Sequence, residues 1–82
     1  VGYAETYDTT KRMMKEIKAL SSRSDYYEKR TQLLMSYNPN LPEEKAEDFG
    51  EAIGVALGTG RTRVAYTIAE VAIKFGAELG GG

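Results

Sequence analysis

The chain has 82 residues with eleven basic and twelve acidic side chains, and it contains neither Cys nor His. That length sets one domain with a modest core. The missing residue types exclude disulfides, thiolate or imidazole metal sites and a histidine general base, and the balanced charge excludes a strongly basic nucleic-acid footprint.

A domain this small, without a disulfide or a metal, depends on tight packing or on association. The first segment with a helical period runs from about Ala4 to Leu20. Tyr3, Tyr7, Thr10, Met14 and Ile17 share a stripe, with Met13 and Leu20 beside it, and Lys11, Arg12, Lys15 and Lys18 take the outer side. No Gly or Pro interrupts it.

Ser21-Ser22-Arg23-Ser24 marks a break or a kink, so the first two helices are either separate or one bent arm. Ser22 followed by Asp25 fits a capping box. The second helix is predicted from about Asp25 to Tyr37, with Tyr26, Tyr27, Arg30, Leu33, Leu34 and Tyr37 on one face. Five of the six tyrosines lie in this first half of the chain. Tyrosine joins apolar area to a polar tip, which suits protein interfaces.

Asn38-Pro39-Asn40-Leu41-Pro42 is the firmest punctuation. Pro39 drives Asn38 out of the α region, Pro42 suits a first helical turn, and Asn40 is a candidate cap. The third helix is predicted from about Pro42 to Leu57, with Ala46, Phe49, Ala52, Ile53, Ala56 and Leu57 as its apolar face. Glu43, Glu44, Glu47 and Asp48 complement the dipole at its start. Gly58-Thr59-Gly60 closes it, since glycine admits the left-handed conformation of helix ends.

The fourth helix is predicted from about Arg61 to Leu79, and the glycine tail 80–82 stops it. Eleven of the sixteen residues from Val64 to Leu79 are apolar and do not fit on one face. Such a helix is surrounded by protein, either at the centre of the fold or in an interface.

Small residues recur at four-residue spacing. Ala46, Gly50, Gly54 and Gly58 align on the third helix, and Ala65, Ala69, Ala72 and Gly76 form a second stripe on the fourth. Each interior Gly costs a helix about 1 kcal/mol relative to Ala, so Gly50 and Gly54 need an offsetting contact. Close approach of another helix supplies one, either within the chain or between chains.

Constellations for chemistry are weak. The serines have no His to activate them. Glu43, Glu47 and Glu51 share a helical face, but neither a calcium-loop spacing nor a Glu-x-x-His motif accompanies them, so no metal or cofactor is expected. Gly54, Gly58 and Gly60 lack the Lys-Ser/Thr end of a phosphate loop. Thr67 to Gly76 resembles the first helix and turn of a DNA-binding helix-turn-helix. Six residues follow Gly76, too few for a recognition helix, so no nucleic-acid partner is expected.

Charge is unevenly spread. Residues 38–60 carry five acidic side chains against Lys45 alone, whereas residues 1–37 carry seven basic and five acidic ones. The basic first helix can face the acidic third helix of a neighbour, or both can be ordinary solvated faces. No uncharged apolar run nears the roughly 20 residues of a membrane span, and no signal peptide is recognisable.

These residues predict an all-α domain of three to four helices over residues 1–82, as two helical hairpins or a bent arm plus a hairpin. The expected role is a non-enzymatic, self-assembling structural subunit, such as a virion, filament or scaffold component. Its partner is other copies of the chain, with no small-molecule substrate. Gly50, Gly54, Ala65, Ala69, Ala72, Phe75, Gly76, Tyr26, Tyr27 and Tyr37 are the candidate contact residues. The alternative is a monomeric module, an inhibitor, immunity protein or adaptor, that binds a different protein. No compartment is indicated.

Overall fold

The structure is a computed structural model that describes residues 3–77, with side chains from residue 5 onward. Among the described residues the chain forms four helices and no strand: α1 Tyr3–Leu20, α2 Tyr26–Tyr37, α3 Glu43–Gly58 and α4 Thr62–Lys74. The expected positions of the Tyr3 side chain, Leu79 and the glycine tail lie outside the described residues. None of the helices is long and apolar enough to cross a membrane.

The serine segment separates α1 and α2, which pack against each other as a hairpin instead of forming one bent helix. Consecutive helices are neighbours, and α4 closes the ring by packing on α1, with little contact across either diagonal. The α2/α3 seam and the α1/α4 seam therefore lie on opposite sides of the ring. Met13, Met14 and Ile17 from α1, Leu34 from α2, Ala46, Ile53 and Ala56 from α3 and Ala65, Ala69 and Ala72 from α4 fill the centre, with Leu41 from the loop. The buried threonines need no distant partner. Thr10 donates its hydroxyl to the Thr6 carbonyl at 2.7 Å and Thr31 to the Tyr27 carbonyl at 3.1 Å, each one turn back.

Two helix starts differ from expectation. Asp25 precedes α2, but its side chain makes no cap. Its carboxylate instead accepts from the Arg23 guanidinium at 2.7 Å, and that bond holds the Asp25 carboxyl below its ordinary range. At α3 the N-cap is Pro42, not Asn40. The Asn40 backbone N–H is turned inward, donating to the Asn38 side-chain oxygen at 3.0 Å.

The end of α3 is as its glycines predict. Gly60 has φ +76, the Arg61 N–H donates to the Ala56 carbonyl at 2.7 Å and the Gly60 N–H to Leu57 at 3.2 Å. This is a Schellman closure. Thr59 adds its hydroxyl to the Val55 carbonyl at 2.9 Å.

Helix α4 is shorter than its apolar run predicts, ending at Lys74 and not at Leu79. Phe75 turns extended at ψ 128, and Gly76 adopts φ +83. The cause is a long-range cap. The buried Asn38 side-chain amide donates to the Ala72 carbonyl at 2.9 Å and to the Phe75 carbonyl at 2.8 Å. A Cβ at Gly76 would lie 3.2 Å from the Asn40 Cβ, so a side chain there meets both strain and the loop.

Helix α4 packs on all three other helices but is not enclosed on every side. Its alanine stripe packs into the core and Tyr66, Ile68 and Ile73 pack against it, while Val64 and Val71 remain 47% and 51% exposed. Alanine lets the helix seat closely on its neighbours, and the two valines fall on a flank that the other helices do not cover.

Candidate functional site

The glycine stripe of α3 meets α2, and it does so through one side chain. Arg30 sits on the otherwise apolar face of α2 and is only 6% exposed. It lies across Gly50 and Gly54: a Cβ at Gly50 would stand 2.8 Å from Arg30 Nε, and one at Gly54 would stand 2.7 Å from Nη1. A Cβ at Gly58 would meet nothing within 4 Å. The small residues thus accommodate a guanidinium and its stem, not a second backbone. The seam is internal to the chain, one of the two arrangements that the spacing allows.

Burying a cation is costly unless it is paired. Arg30 is paired with aromatic faces. Its guanidinium carbon lies 4.9 Å from the Tyr26 ring centroid and 5.0 Å from that of Tyr27, contacts worth about 0.5–2 kcal/mol each depending on exposure. Nη1 also donates to the Tyr26 hydroxyl oxygen at 3.3 Å. Nε has no partner. Adjacent positions 26 and 27 can clasp one side chain because Arg30 follows them by one helical turn. Their rings are 5.3 Å apart and tilted by 51°.

Around this clasp opens a groove of about 540 Å³, lined by Tyr26, Tyr27, Arg30, Glu47, Asp48, Glu51, Gly54 and Val55. Tyr27 is 72% exposed and Val55 is 61% exposed. Glu47, Asp48 and Glu51 are exposed on its α3 wall and pair with no basic side chain among the described residues. The groove is therefore acidic and aromatic above a buried guanidinium. No group of three or more acidic residues is arranged to hold a metal ion among the described residues, and the Glu43, Glu47, Glu51 row forms no metal centre there.

The other expected contact residues divide between core and loop. Ala65, Ala69 and Ala72 are enclosed by the chain's own helices. Phe75 meets Phe49 edge-on with ring centroids 6.0 Å apart, which ties the end of α4 to α3. Gly76 is a turn glycine under Asn40. Tyr37 is half-buried, and its hydroxyl donates to the Glu16 carboxylate. Burial, then that bond, push its phenol up to about 12. Of the ten residues, only Tyr26, Tyr27, Gly54 and the buried Gly50 gather at one place.

On the opposite seam, Lys11, Arg12, Lys15 and Lys18 of α1 surround a smaller recess of about 360 Å³ with Tyr66 of α4. The Lys11 ammonium lies 5.2 Å from the Tyr7 ring centroid. None of these four cations is in an ion pair among the described residues. Sequence reading placed these cations on the outer side of α1 and the carboxylates on α3. It did not single out Arg30 as the filler of the glycine stripe. The signal was present, as a lone charge on a tyrosine- and leucine-lined face. No protein-family model matches the chain, and neither a curated protein sequence nor a solved structure matches it.

Proposed function

We propose that the chain is a non-enzymatic structural subunit that works by associating with copies of itself, as in a virion, filament or scaffold. The observation that carries this reading is the outer side of α4. Val64, Ile68 and Val71 fall at successive turns on one flank, and the chain leaves both valines about half exposed. Isolated surface valines need no explanation, but Val64 and Val71 flank Ile68, which packs partly onto the core, and the apolar strip they make beside that core is surface suited to another helix. Gly50, Gly54, Ala65, Ala69 and Ala72 do not supply this surface, because they face the chain's own side chains.

A second reading, a monomeric module for a different protein, is favoured by the acidic tyrosine groove between α2 and α3. One measurement separates the two. Sedimentation of the full chain across concentrations from micromolar to millimolar is expected to give a rising mass. A monomer throughout that range overturns the structural-subunit reading in favour of the module.

A further inference from the structure

We propose that the acidic groove between α2 and α3 receives the basic face of α1 from a second copy of this chain. This rests on the self-association reading and adds a contact distinct from the valine flank of α4. Glu47, Asp48 and Glu51 line the groove without cationic partners among the described residues, since the buried Arg30 is held by Tyr26 and Tyr27 and not by these carboxylates. Lys11, Arg12, Lys15 and Lys18 form the complementary surface on the α1/α4 seam. The one acidic residue within that stretch of α1, Glu16, already accepts the Tyr37 hydroxyl. The spacing agrees as well. Lys11 and Lys15 are one helical step of four residues apart, as are Glu47 and Glu51, and each step rises about 6 Å. Exposed Tyr27 and Val55 give the groove an apolar centre that association would desolvate, whereas charge pairs alone contribute little.

The occupant is a second copy because each chain carries both surfaces, and because they cannot meet within one molecule. They lie on opposite seams of the ring. A contact between two different faces is heterologous, and unless its rotation closes a ring it propagates without end. Every added subunit presents a fresh groove on one side and a fresh basic face on the other, which is the geometry a filament requires.

The test uses the full chain and two charge-reversed variants at exposed positions, Glu47→Lys with Glu51→Lys, and Lys11→Glu with Lys15→Glu. Each variant alone is expected to remain a monomer at concentrations where the parent assembles. Their equimolar mixture is expected to assemble again, because each variant's altered surface now fits the other's. Circular dichroism checks that both remain helical. If either fails to fold, the neutral pair Glu47→Gln with Glu51→Gln and the salt dependence of the parent decide instead. Screening falls from a range of about 10 Å at 0.1 M salt to about 3 Å at 1 M, so parent assembly should weaken by about tenfold or more. Variants that assemble like the parent, a mixture that stays monomeric, or parent assembly indifferent to salt overturns this contact and leaves self-association standing. A parent that is monomeric at every concentration yet binds an oligolysine peptide overturns both, in favour of a module for a different basic protein.

Discussion

Asn38 decides more of the structure than its place in a loop suggests. Its amide donates to two carbonyls at the end of α4 and its oxygen receives the Asn40 N–H, so one buried side chain stops a helix and shapes a turn. Asn38→Ala removes these bonds and strands the Phe75 carbonyl, while the Ala72 carbonyl keeps the Phe75 N–H, at a cost of about 1–3 kcal/mol in urea unfolding. Asn38→Asp is expected to be nearly as damaging, because a carboxylate cannot donate and would face two carbonyl oxygens. Equal stability of Asn38→Asp and the parent would show that the cap is dispensable. Tyr37 makes a second prediction at this scale. Burial and the bond to Glu16 push its phenol up to about 12 from an ordinary 10.0. The folded state thus holds the proton more tightly than the unfolded state. The resulting stability is fully present below pH 10 and is lost as pH rises toward 12. Ultraviolet titration should resolve one late tyrosinate, absent in Tyr37→Phe.

Between elements, the decisive contact is the Arg30 side chain lying across the glycines of α3. Gly50 faces Nε and the Cδ and Cγ of the stem, whereas Gly54 faces the terminal Nη1. The stem is anchored to its own helix, while Nη1 is the far end of a flexible side chain, held by the rings and one long bond to the Tyr26 hydroxyl, and can shift by a few tenths of an ångström. Gly50→Ala should therefore destabilise the chain by about 1–3 kcal/mol despite its better helix propensity. Gly54→Ala should be close to neutral, with propensity offsetting a small shift of the guanidinium. In an Arg30→Ala background the cost of Gly50→Ala should vanish, because the added methyl then enters vacated space. The double-mutant cycle measures that coupling directly, and additive effects would place the Gly50 constraint elsewhere. Both glycines are identifiable from their four-residue spacing. What faces them is not, since arginine is ordinarily a surface residue and only the tyrosine pair makes its burial tolerable.

The whole molecule is a ring of four helices with a different chemistry on each outer side: an acidic aromatic groove, a basic seam and the valine ridge of α4. Replacing Val64 and Val71 together with Ser tests the ridge. Both side chains are exposed, so folding stability should change by no more than about 1 kcal/mol, while the mass at high concentration should fall if the ridge lies between subunits. Unchanged assembly would remove the ridge from the interface.

The four helices and their breaks were legible in the sequence because their causes are local. Apolar residues recur every three or four positions, the serine segment and the two prolines interrupt them, and Gly60 supplies the one backbone conformation that closes α3 where expected. The missing Cys and His likewise exclude whole classes of chemistry without reference to the fold. The filling of the glycine stripe and the enclosure of each helix were decided only by tertiary structure, and the end of α4 in part. Gly76, at φ +83, is a local stop that the continuing apolar run obscures; the cap that holds this end arrives from Asn38, 34 residues upstream of Ala72. Nothing local tells whether Gly50 faces a backbone, a side chain or another molecule, because that depends on which turn of α2 lies against it. The apolar excess of α4 could mark a central helix or an uncovered one. The ring arrangement leaves only its valine flank outside, because α1, α2 and α3 together surround the rest of the helix.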